Sequence, residues 1–225
     1  MEHIRSETRN VLMLQYAILL LAVVSLAALA CVAAENGVFG EKAFRVEDAG
    51  ELHEAVNCFG VGVKCFIIYS IYRSHFFRGS FRIAVNLLLI SAFFNAAWRI
   101  LVSLGIYYYF DSSVAVMIVY SLSLLAAVII EELTSLAGLN FIMRGFGTAL
   151  DNIGEKTLAS KARILGNIYL AFAGTLFVLL ILFEYPILTY SGYFISACCE
   201  LLMFCIIRKS NRLIYQAYII NGVRH

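Results

Sequence analysis

The chain has 225 residues, 62% hydrophobic and 14% charged, with a formal net charge of +2. A soluble domain runs about 45–50% apolar and about 25% charged, so this composition excludes a water-soluble globule and calls for a bilayer as solvent. The basic residues fall in short groups beside apolar runs, which gives no case for a nucleic-acid partner.

Hydrocarbon about 30 Å thick needs roughly 20 helical residues at about 1.5 Å each. Apolar runs of that size predict transmembrane helices at residues 11–34, 83–108, 113–141, 164–183 and 188–207. A shorter run, 55–72, carries Lys64 at its middle and depends on charge placement for its assignment. The expected fold is therefore all-α, a polytopic membrane bundle of six helices in a single transmembrane domain.

The first run begins after Arg5 and Arg9 and ends near Val32 and Ala34, a pattern shared with secretory signal peptides. Its apolar length exceeds a signal core and favours a retained anchor; cleavage leaves five spans. An acidic outer loop is expected at 35–54, with Glu35, Glu41, Glu47, Asp48, Glu51 and Glu54. The second run contains Gly60-Val-Gly62, the one hint of a broken helix. Basic inner loops follow at 73–82 and 142–163, and a basic tail at 208–225 whose residues 211–223 suit an interfacial helix.

Cytoplasmic loops collect Lys and Arg. With six spans and the N-terminus inside, thirteen of the 17 basic residues fall on the cytoplasmic side, and only Lys42 and Arg45 lie outside. Dropping the second span puts Arg73, Arg78 and Arg82 on the wrong side. Both termini are thus expected in the cytoplasm, and the protein in the cell membrane. Aromatic residues mark the expected interfaces: Tyr107, Tyr108, Tyr109, Phe110, Tyr185, Tyr190 and Tyr193 outside, Tyr72, Phe76 and Phe77 inside.

Five charges lie within the spans: Lys64, Arg99, Glu131, Glu132 and Glu200. Each costs about 2.5–3.5 kcal/mol on insertion scales and marks a functional candidate. Periodicity gives them faces. Ser91, Asn95, Arg99 and Ser103 recur every four residues; so do Ala127, Glu131 and Ser135, and Gly192, Ser196 and Glu200. Asn57, Gly60 and Lys64 share a stripe in the second span, and Asn167, Ala171 and Gly174 offer one in the fifth. Glu132 points about 100° away from Glu131. Stripes of small and polar residues are what helices in membranes use to meet one another. Depth makes Lys64 with Glu131 or Glu200 the expected pair, with Arg99 nearer the outer surface. Asn95, Ser135 and Ser196 are the supporting polar groups.

The rest of the chemistry is sparse. The six cysteines read as packing residues, and Cys198–Cys199 lacks metal or redox spacing. His3, His53, His75 and His225 fall outside the expected spans, so no metal site or cofactor is anticipated. No HExxH, no phosphate-binding glycine loop and no intramembrane aspartate is present, which argues against an enzyme. In size and span count alone the chain is similar to small permease subunits, an analogy of fold only. The function expected first is a small solute or ion transporter, or a membrane subunit of one. The alternative is a sensor or accessory protein whose buried charges are structural. The expected partners are the lipid bilayer and, for either reading, a membrane or cytoplasmic protein.

Overall fold

The structure, a computed structural model, describes residues 2–36, 46–74, 79–103, 114–183 and 186–222. Within them lie six α-helices: α1 (Glu2–Glu35), α2 (Val46–Arg73), α3 (Ser80–Ser103), α4 (Val114–Asn152), α5 (Lys156–Phe183) and α6 (Pro186–Gly222). All six are long and apolar enough to cross a membrane. The expected aromatic residues at 107–110, Phe76, Phe77 and Tyr185 lie outside the described residues, as do Glu41, Lys42, Arg45, Arg78 and Arg224.

The helices outrun the apolar segments that predict them. The acidic stretch 46–54 is the first part of α2 rather than loop, and Gly60 and Gly62 pass through it without a break. Most of the basic stretch 142–163 is helical, with α4 continuing to Asn152 and α5 starting at Lys156. The tail 211–222 is a direct continuation of α6, not a separate interfacial helix. Polar ends lengthen a helix readily, because water accepts their exposed backbone groups where hydrocarbon does not.

Each helix packs against its neighbours in sequence, and α1 closes the ring against α6. Side-chain contacts show neighbours running antiparallel. Asn10 near the start of α1 donates to the Arg73 carbonyl at the end of α2, 3.2 Å away. At the opposite end His53 bridges Glu35 (3.1 Å) and the Tyr193 hydroxyl (3.2 Å), tying α2 to α1 and α6. One end of the bundle therefore carries Arg9, Arg73, Arg82, Lys156, Arg208 and Arg212, and the other Glu35, Glu51 and Glu54. They are called the basic and acidic ends below.

Glycines let backbones approach where lipid supplies no hydrophobic push between helices. A Cβ on Gly145 of α4 would stand 2.5 Å from the Phe81 ring of α3, and one on Gly138 2.8 Å from Leu88. Phe81 is buried and meets Phe146 edge-on at 5.4 Å, so its ring has no room to yield. The α4–α5 turn is fixed by backbone chemistry. Gly154, at φ +86°, donates to Asp151, and Glu155 donates to Leu150, the paired bonds of a Schellman cap. The Glu155 carbonyl then accepts from Ala159 to start α5. An Arg163–Asp151 ion pair clasps the two helices just beyond the turn.

Helix α5 corrects one expectation. Its buried stripe is Leu158, Ala162, Leu165, Gly166, Tyr169 and Ala173. Asn167 and Ala171 face outward, and Asn167 accepts from Arg144 at 3.1 Å. Two small-residue stripes one position apart compete in this sequence. Close contact selects the one with Gly166, whose Cβ position lies 2.6 Å from Asn140 Oδ1 and 3.0 Å from Met143. That Asn140 oxygen is the buried side-chain atom without a hydrogen bond among the described residues. The Cα–H of Gly166 faces it instead, a weak donor in place of a normal one.

Candidate functional site

The polar stripes of α2, α3 and α4 meet inside the bundle. Lys64 Nζ lies 3.7 Å from Glu131 Oε1, with both side chains largely removed from solvent (14% and 8% exposed). The ammonium also points at Ser91 Oγ, 3.4 Å away. Asn95 Nδ2 donates to the same Glu131 oxygen at 2.5 Å, and Arg99 Nε donates to Asn95 Oδ1 at 2.8 Å. Arg99 continues outward, with Nη1 3.5 Å from Glu54 and 3.3 Å from the Cys58 sulfur. The result is an unbroken chain of polar contacts: Lys64, Glu131, Asn95, Arg99, Glu54. Periodicity explains why it forms: Ser91, Asn95 and Arg99 lie one helical turn apart, so one face of α3 supplies two successive links, Asn95 and Arg99, and the Ser91 contact to Lys64.

A second buried carboxylate is held differently. Glu200 on α6 is buried and accepts from Ser25 Oγ of α1 at 2.8 Å and from the Tyr169 hydroxyl of α5 at 3.2 Å. Both donors are neutral, and no cation lies within ion-pair distance of Glu200 among the described residues. Glu200 joins α1, α5 and α6 where the first chain joins α2, α3 and α4. The two clusters are electrostatically linked, since Glu132 and Glu200 both lie in the field of the Lys64 ammonium.

Glu132 completes the set. It lines a cleft of about 190 Å³ between α4, α5 and α6, together with Ser135, Tyr169, Tyr193 and Ser196. Thr189 adds one more hydroxyl, and the rest of the lining is apolar, including Leu176, Phe177 and Leu180. Among the described residues the Glu132 carboxylate has no hydrogen-bond or ion-pair partner. A mostly apolar cavity with a few converging polar groups is the usual form of a small-ligand site.

The sequence-predicted residues thus fall into three places. Lys64, Glu131, Asn95 and Arg99 form one chain; Glu200 stands with partners from other helices; Glu132, Ser135 and Ser196 face the cleft. The Ser103 side chain lies outside the described residues. Sequence reasoning missed Ser25, Tyr169 and Glu54. Ser25 had a signal, being one of few polar side chains in the run 11–34. Tyr169 had none, because a tyrosine amid apolar residues reads equally as lipid-facing. His53, expected outside the spans, lies on α2 and holds the acidic end together. Among the described residues, no three His, Cys, Asp or Glu side chains gather as metal ligands.

Compared with known protein families, with curated proteins and with solved structures, the chain matches none.

Proposed function

We propose that this multi-pass chain is a small solute or ion transporter, or the membrane subunit of one. The observation that carries this reading is Glu132, an unpartnered carboxylate that opens on a cleft and shares the field of Lys64 with Glu131 and Glu200. Charges placed at membrane depth are expensive and mark substrate, ion or proton pathways. In this reading the cleft receives a small cation or a solute with a basic group, which Glu132 pairs. Tyr193 and Ser196 orient the solute from α6. Glu200, held by hydroxyls alone, then changes partner or exchanges a proton as the cleft's access changes, while the Lys64–Glu131 pair keeps α2, α3 and α4 in register. No catalytic step is assigned, and the protein is read as non-enzymatic.

The basic end is assigned to the cytoplasm, because Lys and Arg collect on that side of a bilayer. With six crossings, both termini are read as cytoplasmic and the membrane as the cell membrane. A reporter fused after residue 222 tests the sidedness.

The test of transport is ion and proton flux into vesicles holding the purified full chain. Glu132→Gln and Glu200→Gln are expected to lower flux tenfold or more, on the order of 1.4 kcal/mol of barrier. Arg144→Gln, far along α4, is the control expected to leave it unchanged. Flux equal to protein-free vesicles, or unaltered by Glu132→Gln, rejects the proposal. That result favours the second reading, a sensor or accessory protein, which rests on the completeness of the Lys64-to-Glu54 chain. Buried pairs satisfied in that way also serve only to set helix register.

A further inference from the structure

A second cleft, of about 440 Å³, lies between α1 and α6 at the basic end of the bundle. Its polar lining consists of Gln15 and Tyr16 from α1 with Arg208, Asn211, Arg212 and Tyr215 from α6. The α6 residues lie at i, i+3, i+4 and i+7, so they form one stripe facing the cleft. Gln15 and Tyr16 stand opposite. Among the described residues no carboxylate lines it. Two guanidiniums with two amides and two phenols make a lining rich in N–H and O–H donors, which suits an anion with several oxygens.

Two further observations point to a ligand. Gln15 is only 5% exposed, yet its amide has no hydrogen-bond partner among the described residues, and it is aimed into the cleft. Arg208 and Arg212 likewise have no carboxylate within ion-pair distance there. The Gln15 amide atoms stay accessible through the cleft, so the side chain is free to donate to a group that enters it.

Position says what fills it. Above the polar lining, toward the middle of the bundle, the same stripes continue as apolar surface: Leu20 and Val23 on α1, Leu201 on α6, all exposed. Leu12 and Phe204 complete the walls beside the charged groups. A phosphate with hydrocarbon chains attached fits that layout, head among the arginines and tails along Leu20, Val23 and Leu201. A free phosphate uses only the head. We propose that the cleft between α1 and α6 binds the phosphate headgroup of an anionic phospholipid, with Gln15 donating from α1 and Arg208 and Arg212 from α6. This inference stands apart from the transport reading and requires no solute.

The test is native mass spectrometry of the full chain in detergent, titrated with phosphatidylglycerol, phosphatidylcholine or inorganic phosphate. Wild type is expected to retain phosphatidylglycerol in preference to phosphatidylcholine. Arg208→Gln with Arg212→Gln should weaken retention about thirtyfold, five- to sixfold for each arginine near an anionic surface. Gln15→Leu, which changes no charge, should weaken it about fivefold by removing one hydrogen bond. Lys156→Gln with Lys161→Gln, exposed at the same end on α5, should leave it unchanged. Equal loss in that control pair, or none with Gln15→Leu, would mean diffuse surface charge and overturn the site. Inorganic phosphate that displaces the lipid at equal concentration overturns the lipid as its ligand.

Discussion

The two buried acidic clusters solve the same problem by different means. Glu131 is matched by a cation and an amide, in a chain that runs from Lys64 through Asn95 to Arg99 and Glu54. Glu200 is matched by two hydroxyls alone. A charge pair fixes both partners as charged, because removing either leaves the other stranded in low dielectric. Hydroxyl donors impose no such requirement, since they serve a carboxylate or a neutral carboxyl group. The first arrangement is suited to holding α2, α3 and α4 in register, and the second to a group that changes state.

Lys64→Ala is the harshest way to break that comparison. It strands Glu131, and a loss of about 3–5 kcal/mol is expected in equilibrium unfolding in mixed micelles. Lys64→Met combined with Glu131→Leu should recover most of the loss. If the double variant is no better than the single one, the pair is not the unit that matters. Tyr169→Phe comes next, with an expected cost of about 1 kcal/mol for one hydrogen bond. A cost as large as that of Lys64→Ala would place Glu200 in the same class as Glu131. Glu200→Gln should have the smallest effect, under about 1 kcal/mol, because the amide oxygen still accepts from one hydroxyl while its NH2 donates to the other, which turns to accept. Unchanged stability with lost flux would sharpen the contrast most, separating what Glu200 does from what it holds together.

These clusters also show which contacts a sequence discloses. Ser91, Asn95 and Arg99 could be grouped in advance because helical periodicity is a local rule, whereas depth narrowed the partner of Lys64 only to Glu131 or Glu200, and the packing of α2, α3 and α4 selects Glu131. Glu200 could be marked as buried but not partnered. Its donors Ser25 and Tyr169 lie 175 and 31 residues away, joined only by the closing of α1 against α6 and by the order of α5 and α6. Nothing within either helix encodes that closure. The misplaced face of α5 has the same origin: Gly166 and Asn167 are adjacent, and only the fit against Asn140 and Met143 decides between their stripes. Helix ends were underestimated because apolar length measures the hydrocarbon, whereas α4 and α6 continue into polar surroundings.

The length of α4 has a mechanical consequence. Its 39 residues span about 58 Å at 1.5 Å per residue, nearly twice the hydrocarbon thickness. Asn152 lies about 31 Å along this rod from Glu131. A tilt of about 10° pivoting at the buried charges therefore carries the far end about 5 Å sideways. The Schellman turn and the Arg163–Asp151 clasp oblige the start of α5 to travel with it. Leu150, Leu158 and Ala159 pack there against Ile206 and Leu213, which flank Arg208 and Arg212 on α6. The helix acts as a lever: a small rearrangement around Glu131 is read out as a displacement at the arginine-lined edge of the bundle.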